Sequence, residues 1–569
     1  MFDGAFGTYF AAKNHGIDFP EMANILHGDA VLTIHKKYIE SGADAIKTNT
    51  FAANSDFIPD ENTLKDVIKA GCAIAREAAG DKADVFADMG PVKNEAAADE
   101  FLRLSDIFIS CGMKNFLFET LPEAENLKTA LKHIKDAVPD SFIIVSFAVT
   151  QDGYTRSGGY YIDLFREASE YGADVVGLNC ICGPAHMRDL IKNPKAQKYA
   201  CSAMPNAGYP TSVGGRAVYI NNPDYFANKL LEIYSAGIPI VGGCCGTTPA
   251  HIKAFTEKLS GASPKKISVI EVIKTAAEDK REQAFSGTTI AVEINSPIDT
   301  DTDFVLEASR RAMAAGVDYI TVPDSPLGKA RANSFMISGL IHRETGIRVI
   351  PHICCRDKNQ IAIKGDLIGA AIEGVRTVLA VTGDAIPEAD RADAKNVFGF
   401  SSIKLISFIE SLNRTVLSEK PVNICAALNV NAQNFDHELR RAEKKIAAGT
   451  ACFFTQPIFT AKNVENFRRA KAELGCRILA GIMPLAGYKN ALFLNNEVPG
   501  IEVPENVLQR LLASGPEGAR AVCAEFAKSI VDEIGNRCDG YYIMTPLRKI
   551  EHSLDIVEYI RRGKNADNR

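Results

Sequence analysis

Short runs of β-branched and apolar residues alternate with longer helix-period segments along this chain, and the alternation passes twice through eight repeats. The first series predicts strands at 1–4, 45–50, 85–89, 116–120, 142–149, 175–180, 199–204 and 239–244. The second series predicts strands at 289–294, 319–323, 349–354, 377–382, 422–429, 452–456, 478–483 and 541–544. Eight β/α units in about 260 residues are typical of a (β/α)8 barrel. We therefore expect an α/β protein built from two successive TIM barrels.

A polar, helix-prone stretch separates the two series. It contains a run of charged residues at 278–282, and strand-like sequence restarts at Thr289. We therefore place one barrel at residues 1–260, a short helical linker at 261–286 and a second barrel at 287–569. A doubly wound fold is the alternative, but no G-x-G-x-x-G motif follows the first predicted strand of either half.

The composition restricts the partners of the chain. Hydrophobic residues make up 46% and charged residues 24% of the 569 residues, which excludes disorder, collagen and coiled coil. Lys and Arg number 64 against 70 Asp and Glu, so the net charge is −6, and no basic run suits phosphate binding. No apolar stretch reaches the roughly 18 residues of a membrane span, and the N-terminus lacks a secretory signal pattern. We expect a cytoplasmic protein that acts on small molecules, with no nucleic-acid or membrane partner, and leave self-association into a homo-oligomer open.

Three cysteines lie where predicted strands of the first half end. Cys180 closes one strand, and Cys244 and Cys245 close another that comes two units later. Because the C-terminal ends of barrel strands face one side, the three thiols are expected to converge. Three thiolates with one open position are typical of catalytic zinc, which would bind and deprotonate a substrate thiol. Buried core cysteines are the alternative interpretation of this spacing.

Several motifs of the first half resemble the zinc-dependent homocysteine S-methyltransferase family. They are D-G-A-F-G-T at 3–8, T-N-T-F at 48–51, E-T at 119–120, G-L-N-C at 177–180, P-N-A-G at 205–208 and G-C-C-G-T-T-P at 243–249. The resemblance spans about residues 1–257. It implies that Cys180, Cys244 and Cys245 hold Zn²⁺ and that the homocysteine sulfur occupies the fourth position.

The same resemblance implies that Asp3, Glu119 and Asn179 surround the amino-acid end of homocysteine, where a carboxylate can pair with the ammonium group. Cys182 is not used by the family's motif, and we expect it to lie outside the metal site. Asp88 departs from the family, which usually has a small residue at this position. This departure concerns the side of the pocket that takes the methyl donor.

Three polar residues close predicted strands of the second half. Glu293 ends the first of these strands, Asp384 follows the fourth, and Gln456 ends the sixth. In a barrel they would face one cavity. A carboxyl group among apolar neighbours should have a raised pKa, which suits a general acid near neutrality. Taken singly, each of the carboxylates is equally well interpreted as a solvated residue at the rim.

Together with their surroundings these residues resemble the methylenetetrahydrofolate reductase family of FAD-dependent barrels. The supporting segments are 351–357, 382–384, 439–449, 453–457, 481–485 and 496–500, within about residues 286–562. The resemblance implies that Glu293 donates a proton to folate N10, that Asp384 lies beside the flavin and the pterin, and that Gln456 binds the pterin.

The resemblance also implies a set of FAD contacts. They are His352, Thr382, Gly383, Asp384 and Lys445, a cationic side chain being suited to the diphosphate. NAD(P)H is the implied electron donor, and the hydride chemistry belongs to the cofactor. The segment after Glu293, N-S-P-I-D at 295–299, departs from the family, which usually has a proline pair and a basic residue there. This departure leaves open a changed use of the electron donor or a weakened reductase.

The order of the two resemblances implies a bifunctional one-carbon enzyme. One barrel would methylate homocysteine to methionine, and the other would reduce 5,10-methylenetetrahydrofolate to 5-methyltetrahydrofolate. The methyl donor stays open, because a tertiary amine in methylfolate is a poor leaving group, whereas a sulfonium or a quaternary ammonium is chemically easier. The alternative is a reductase fused to a zinc-holding module that docks a methyl-carrier or electron-transfer partner.

Overall fold

The computed structural model describes residues 1–13, 19–93, 96–213, 216–259, 280–282, 284–384, 401–498, 500–535 and 538–567. The chain divides into two compact units, Met1–Thr275 and Ala276–Arg569. Most of the linker predicted at 261–286 lies outside the described residues, which include only 280–282 and 284–286 of it. No described helix combines the length and the apolar character that crossing a membrane requires.

The first unit contains a parallel sheet whose seven strands follow the order of the sequence. The strands are β1 (Ala45–Lys47), β2 (Asp84–Met89), β3 (Asn115–Leu121), β4 (Phe142–Phe147), β5 (Val175–Asn179), β6 (Cys201–Met204) and β9 (Ile240–Val241), and β7 (Thr211–Val213) pairs with β8 (Arg216–Val218) in a separate antiparallel hairpin. The helices are α1 (Gly7–Ala11), α2 (Ala23–Leu26), α3 (Gly28–Glu40), α4 (Glu61–Ala79), α5 (Ala97–Ser110), α6 (Lys128–Ala137), α7 (Tyr161–Glu170), α8 (Pro184–Ile191), α9 (Pro223–Ser235) and α10 (Pro249–Leu259). Seven of the eight predicted strands are therefore present.

The strand predicted at 1–4 is reduced to a single bridge. Phe2 pairs in parallel with Ala45 of β1, and its backbone N–H donates to the Val241 carbonyl of β9 at 2.8 Å. The strand does not continue beyond this point: the N–H of Ala5 donates to the Thr247 hydroxyl at 3.0 Å and not to a neighbouring strand. Phe2 thus joins β1 and β9, the first and last strands of the sheet. It thereby places the following residue, Asp3, beside the ends of these strands.

Helix α4 illustrates how the sequence directs the outer layer. The Asp60 carboxylate caps its first turn by accepting from the backbone N–H of Thr63 at 2.8 Å. Leu64, Ile68 and Cys72 follow at intervals of four residues and are buried. This spacing places them on one face of a helix, so α4 packs its apolar side toward the sheet and leaves its charged side in solvent.

The second unit is a closed barrel of eight parallel strands. They are β10 (Thr289–Glu293), β11 (Tyr319–Val322), β12 (Arg348–Cys354), β13 (Thr377–Val381), β14 (Asn423–Leu428), β15 (Cys452–Pro457), β16 (Arg477–Ile482) and β17 (Gly540–Met544). The helices are α11 (Asp303–Ala314), α12 (Ser334–Thr345), α13 (Gln360–Ile372), α14 (Ser402–Asn413), α15 (Phe435–Ala447), α16 (Ala461–Glu473), α17 (Tyr488–Glu497), α18 (Glu505–Ile534) and α19 (Ile550–Asp567). Every predicted strand of this half is confirmed to within one residue at either end, and the fold class is the predicted one.

The interior of the second barrel is filled by side chains from all its strands. The buried cluster comprises Ala291, Tyr319, Ile350, Leu379, Cys425, Cys452, Phe454, Leu479, Tyr542 and Met544. The ring of Phe285, which precedes the first strand, lies 5.2 Å from that of Tyr319. A packed interior of this kind leaves the C-terminal ends of the strands as the place for polar chemistry.

Candidate active sites

Three thiols meet at the C-terminal ends of strands in the first unit. Cys180 follows β5, Cys244 and Cys245 follow β9, and their sulfur atoms all lie within 4.8 Å of one another. No other group of three or more His, Cys, Asp or Glu residues in the described part of the chain could hold a metal ion. The predicted convergence of the three cysteines is therefore what the structure contains.

Local backbone geometry aims these thiols at one point. Cys180 has a left-handed backbone with a φ of 59°, which is uncommon for a residue other than glycine and turns its side chain out of the strand direction. The Cys244 backbone is held on both sides, because its N–H donates to the Pro205 carbonyl at 2.8 Å and its carbonyl accepts from the Thr247 hydroxyl at 2.7 Å. Strained and fixed backbone of this kind is typical of a site that must hold side chains in place.

The spacing of the sulfurs fits a zinc ion. The Cys180 and Cys245 sulfurs lie 3.7 Å apart, and Zn–S bonds of about 2.3 Å in a tetrahedron separate two sulfurs by about 3.8 Å. The pKa of the Cys180 thiol is raised to about 12, because its hydrogen bond with Cys245 and its burial outweigh the hydrogen bond with Cys244 that favours the thiolate. A cation at this point would compensate the negative charge that burial disfavours.

A buried lysine joins the acids that the sequence placed around homocysteine. The Lys47 ammonium lies 3.7 Å from Asp3 and 3.8 Å from Glu119, and all three side chains are almost fully buried. Burial raises the pKa of Asp3 to about 6, although the Lys47 charge opposes the shift. Burial disfavours the charged form of Lys47, but Glu119 and Asp3 outweigh it and raise its pKa. The sequence analysis did not identify Lys47, although a lysine inside a buried strand is a signal that could have found it.

Asn179 connects these acids to the thiols. Its side-chain amide donates to the Glu119 carboxylate at 3.1 Å and contacts the Cys244 sulfur at 3.9 Å. Its carbonyl oxygen accepts from the backbone N–H of Thr120 at 2.7 Å. The structure thus brings Asp3, Glu119 and Asn179 together beside the cluster, and their contact with homocysteine stays a prediction.

These groups line one cavity of about 500 Å³ at the strand ends. Its wall comprises Ala5, Phe6, Gly7, Thr8, Phe19, Pro20, Glu21, Lys47, Thr48, Asn49, Thr50, Phe51, Ala52, Phe57, Asp88, Glu119, Thr120, Cys180, Cys244 and Cys245. A cavity of this size admits an amino acid together with part of a second substrate.

Cys182 does not line this cavity. It is buried, and its thiol donates to the Val149 carbonyl at 3.0 Å.

The second unit holds a carboxyl group at its barrel mouth. Glu293, the last residue of β10, accepts a hydrogen bond from the Tyr542 hydroxyl of β17. Burial raises the pKa of Glu293 to about 7, and the charge of Asp384 adds to the shift, whereas the Tyr542 hydrogen bond opposes it. A pKa in this range suits the general acid that the sequence analysis expected, and the role of Glu293 in proton transfer stays a prediction. Tyr542 is a partner that sequence reasoning missed.

Asp384 lies in the loop after β13 and is tied to two other loops. Its carboxylate accepts from the backbone N–H of Leu327 at 2.7 Å. The buried guanidinium of Arg356 donates to the Asp384 carbonyl at 2.8 Å and to the Ser325 carbonyl at 3.2 Å. Arg356 thus clamps the loops after β11 and β13, a role that the sequence analysis did not assign.

The predicted flavin contacts divide into two groups. His352, Thr382 and Gly383 lie at the ends of neighbouring strands, and Nε2 of the buried His352 has no hydrogen-bond partner in the described part of the chain. Burial lowers the pKa of His352 to about 3, so its imidazole is neutral. Gly383 has a φ of 91°, and a Cβ there would lie 3.0 Å from that of Cys354, so the loop passes too closely for a side chain. The Cys354 and Arg356 side chains thus explain the glycine, and contacts of these residues with FAD stay a prediction.

The remaining predicted residues differ in exposure. Gln456 is exposed at the end of β15. Lys445 is buried on α15, and its ammonium donates to the Ala427 carbonyl at 2.7 Å. Burial lowers the pKa of Lys445. A contact between Lys445 and the FAD diphosphate therefore stays a prediction.

Comparison with known proteins identifies two family matches. The sequence model of homocysteine S-methyltransferase matches residues 1–259, and that of methylenetetrahydrofolate reductase matches residues 238–561. The chain is 30% identical over 282 residues to the methionine synthases of Mycobacterium tuberculosis (strain ATCC 25618 / H37Rv) and Mycobacterium leprae (strain TN). These alignments cover 44% of this chain and 24% and 23% of those proteins, so the chain spans about a quarter of their length.

Solved structures similar to the chain include the homocysteine methyltransferase MmuM from Escherichia coli. Its oxidized form aligns with a TM-score of 0.38 and 19% identity, covering 45% of this chain and 94% of MmuM. Its metallated form aligns with a TM-score of 0.37 and 18% identity, covering 45% of this chain and 95% of MmuM.

Proposed function

The chain belongs to the methylenetetrahydrofolate reductase family, and on that premise we propose that it is a bifunctional one-carbon enzyme. The first barrel, residues 1–260, methylates homocysteine to methionine at a zinc–thiolate site. The second barrel, residues 287–569, reduces 5,10-methylenetetrahydrofolate to 5-methyltetrahydrofolate with FAD and NAD(P)H.

The convergence of three sulfurs on one cavity carries the first half of the proposal. Zn²⁺ held by Cys180, Cys244 and Cys245 supplies a Lewis acid that lowers the pKa of a substrate thiol. Asn179 holds the Glu119 carboxylate beside the thiols through its hydrogen bond. The substrate sulfur gains a bond to the methyl carbon, and the electron pair of the broken bond stays with the donor.

The second half of the proposal rests on Glu293 at the barrel mouth, whose pKa burial raises to about 7. In the proposal it gives its proton to folate N10, so that the methylene bridge opens toward N5. His352, Thr382, Gly383 and Asp384 hold FAD, which supplies the hydride chemistry when bound. Gln456 contacts the pterin, and NAD(P)H supplies the electrons.

Two assays on the purified, zinc-loaded and FAD-loaded chain test this function. The first measures methionine formed from homocysteine with S-methylmethionine or 5-methyltetrahydrofolate as donor and without cobalamin. The second measures NADH or NADPH oxidation that depends on methylenetetrahydrofolate. We expect Cys244→Ala to abolish only the first activity and Glu293→Gln to abolish only the second.

The docking alternative makes a different prediction for the same assays. If the first barrel only positions a partner, the chain holds zinc but forms no methionine with either donor, while the reductase turns over. Methionine formed by the wild-type chain alone contradicts the docking alternative.

A further inference from the structure

The negative charge of the first cavity is only partly compensated by the protein. Lys47 lies within 3.8 Å of both Asp3 and Glu119, so these two carboxylates already have an ammonium partner. Two further carboxylates, Glu21 and Asp88, line the same cavity. Within the described residues neither of them forms an ion pair with a cation, and burial raises the pKa of both carboxyl groups, that of Asp88 well above its ordinary value.

Asp88 is held firmly by its backbone, while one of its two carboxylate oxygens has no partner among the described residues. Its backbone N–H donates to the Thr48 hydroxyl at 3.0 Å, and its backbone carbonyl accepts from the Thr50 hydroxyl at 2.8 Å. The side chain is 4% exposed, and in the described part of the chain Oδ1 has no hydrogen-bond partner. A buried carboxylate oxygen without a donor is costly unless a ligand supplies one.

Glu21 presents a second carboxylate of this kind. Its Oε1 accepts from the backbone N–H of Ala52 at 2.9 Å, which fixes the side chain. Its Oε2 is buried and, among the residues that the structure describes, finds no donor. Burial raises the pKa of Glu21, and a bound cation would reverse that shift. Glu21 and Asp88 come from different segments, so their meeting at one cavity is a property of the fold.

Aromatic rings complete the wall beside these carboxylates. Phe6, Phe19, Phe51 and Phe57 all line the cavity, and the rings of Phe19 and Phe57 stack with their centroids 5.7 Å apart. The faces of aromatic rings attract cations, most strongly those that are poorly hydrated. Carboxylates together with ring faces are therefore suited to an organic cation.

We propose that Asp88 and Glu21 form a subsite for an organic cation, an alkylammonium or a sulfonium, that a substrate of the first barrel carries into the cavity. The assignment of this cation to a substrate rests on the proposed methyltransferase function. Because Lys47 already pairs with both Asp3 and Glu119, the subsite lies at a different pair of acids from the one that the family resemblance indicates. Asp88, the residue that departs from the family, is part of it.

Binding of simple cations to the full-length chain tests the subsite without requiring catalysis. n-Butylammonium and tetramethylammonium chloride are titrated by calorimetry into wild type, Asp88→Asn and Glu21→Gln. We expect each variant to weaken binding of at least one cation by about tenfold or more, because a carboxylate partner of a charged group is lost. Asp140→Asn, which removes an exposed carboxylate of the same unit, should leave the affinities unchanged.

Three results would overturn the subsite. They are a wild-type chain that binds neither cation, affinities that both variants leave unchanged, and an equal loss in Asp140→Asn. If Asp88→Asn fails to fold, Glu21→Gln still tests the subsite, since the two residues lie on different segments. Asp88→Glu, which keeps a carboxylate at this position, should restore part of the cation affinity.

Two pairs of compounds then identify the source of the cation in the zinc-loaded chain. Homocysteine is compared with 4-mercaptobutanoate, which lacks only the amino group, and S-methylmethionine with methionine, which lacks only the sulfonium methyl. If wild type binds homocysteine more tightly than 4-mercaptobutanoate and Asp88→Asn abolishes this difference, the subsite belongs to the thiol substrate. If Asp88→Asn instead abolishes tighter binding of S-methylmethionine than of methionine, the subsite belongs to the methyl donor. If the variant alters neither preference, the assignment to a substrate is wrong. Loss of the proposed function instead removes methionine formation and leaves the titrations with simple cations intact.

Discussion

The Tyr542 hydroxyl donates a hydrogen bond to the Glu293 carboxylate across the seam where the last strand of the second barrel meets the first. Glu293 lies at the end of β10, and Tyr542 lies inside β17, with its ring in the packed interior. The contact joins the two strands whose pairing closes the barrel. It favours the charged form of Glu293 and so opposes the rise in pKa that burial causes.

The first prediction concerns the pH profile of the reductase. Tyr542→Phe removes a hydrogen bond that favours the charged carboxylate, so the pKa of Glu293 should rise above its value of about 7. Because the proposed function makes the acid form of Glu293 the active one, the alkaline limb of the rate profile should move to higher pH by about one unit. Tyr541→Phe is the matched control, because that hydroxyl contacts the Gly535 carbonyl instead. An unmoved limb, or an equal shift in the control, would contradict the role of Tyr542.

The second prediction concerns stability as a function of pH. The folded-state pKa of Glu293, about 7, lies above its ordinary value of 4.5. Between these values the unfolded chain loses a proton that the folded chain keeps, so stability falls as the pH rises through this window. Glu293→Gln has no titrating group at this position, so it does not lose stability in this way as the pH rises. The variant should therefore melt at a higher temperature than wild type at pH 8, and the difference in melting temperature should shrink toward pH 5.

A surface variant provides the control for this measurement. Glu465 is exposed on α16, and Glu465→Gln should melt like wild type at both pH values. A Glu293→Gln variant whose melting difference is the same at pH 5 and pH 8 would show that the buried carboxyl does not titrate in this window.

The third prediction concerns the buried ion cluster of the first unit. Lys47→Met leaves Asp3 and Glu119 buried without their ammonium partner. The free energy of unfolding should fall by about 3–5 kcal/mol at pH 7, because unpaired buried charges are costly. The loss should be smaller at pH 5, where Asp3, with a pKa of about 6, takes up a proton. Urea unfolding at the two pH values measures both quantities.

An exposed lysine distinguishes this effect from the loss of any cation. Lys65 pairs with Glu61 on the surface of α4, with 40% of its side chain exposed. Lys65→Met should change the free energy of unfolding by less than about 1 kcal/mol. Equal destabilisation by the two variants would mean that the Lys47 cluster contributes no more than a surface pair.

The fold followed from the sequence wherever local pattern decides it. The strands of the second barrel were predicted to within one residue because each is a short apolar run between polar segments. The segment at 1–4 has the same pattern but forms only a bridge at Phe2, and the N–H of Ala5 bonds to the Thr247 hydroxyl instead of a neighbouring strand. A local pattern does not show such a side-chain partner from a distant part of the chain.

The sequence predicted which residue types form the sites, but not which other side chains they contact. The three cysteines could be placed together because all of them close barrel strands. The partners of Asp3 and Glu293 could not be predicted, because Lys47 and Tyr542 meet them only after the sheet has formed. For Lys445, the sequence shows a cation but not the carbonyl that its ammonium contacts.

The fourth prediction separates the metal ligands from their neighbour. Cys182→Ala should keep the zinc affinity of wild type, because the Cys182 thiol donates to Val149 and lies outside the cluster. Cys245→Ala should weaken zinc binding strongly, since only two thiolates remain. Competition with a chromophoric chelator measures both affinities. Equal weakening in the two variants would contradict the assignment of the ligands.

Zinc by elemental analysis and flavin by absorbance, measured on the same purified chain, test the central claim of two separate sites most directly. The account predicts one zinc and one FAD per wild-type chain, loss of zinc alone in Cys244→Ala, and retention of both in Glu293→Gln. A wild-type chain that binds zinc but no FAD, or a Cys244→Ala variant that loses both, would contradict it.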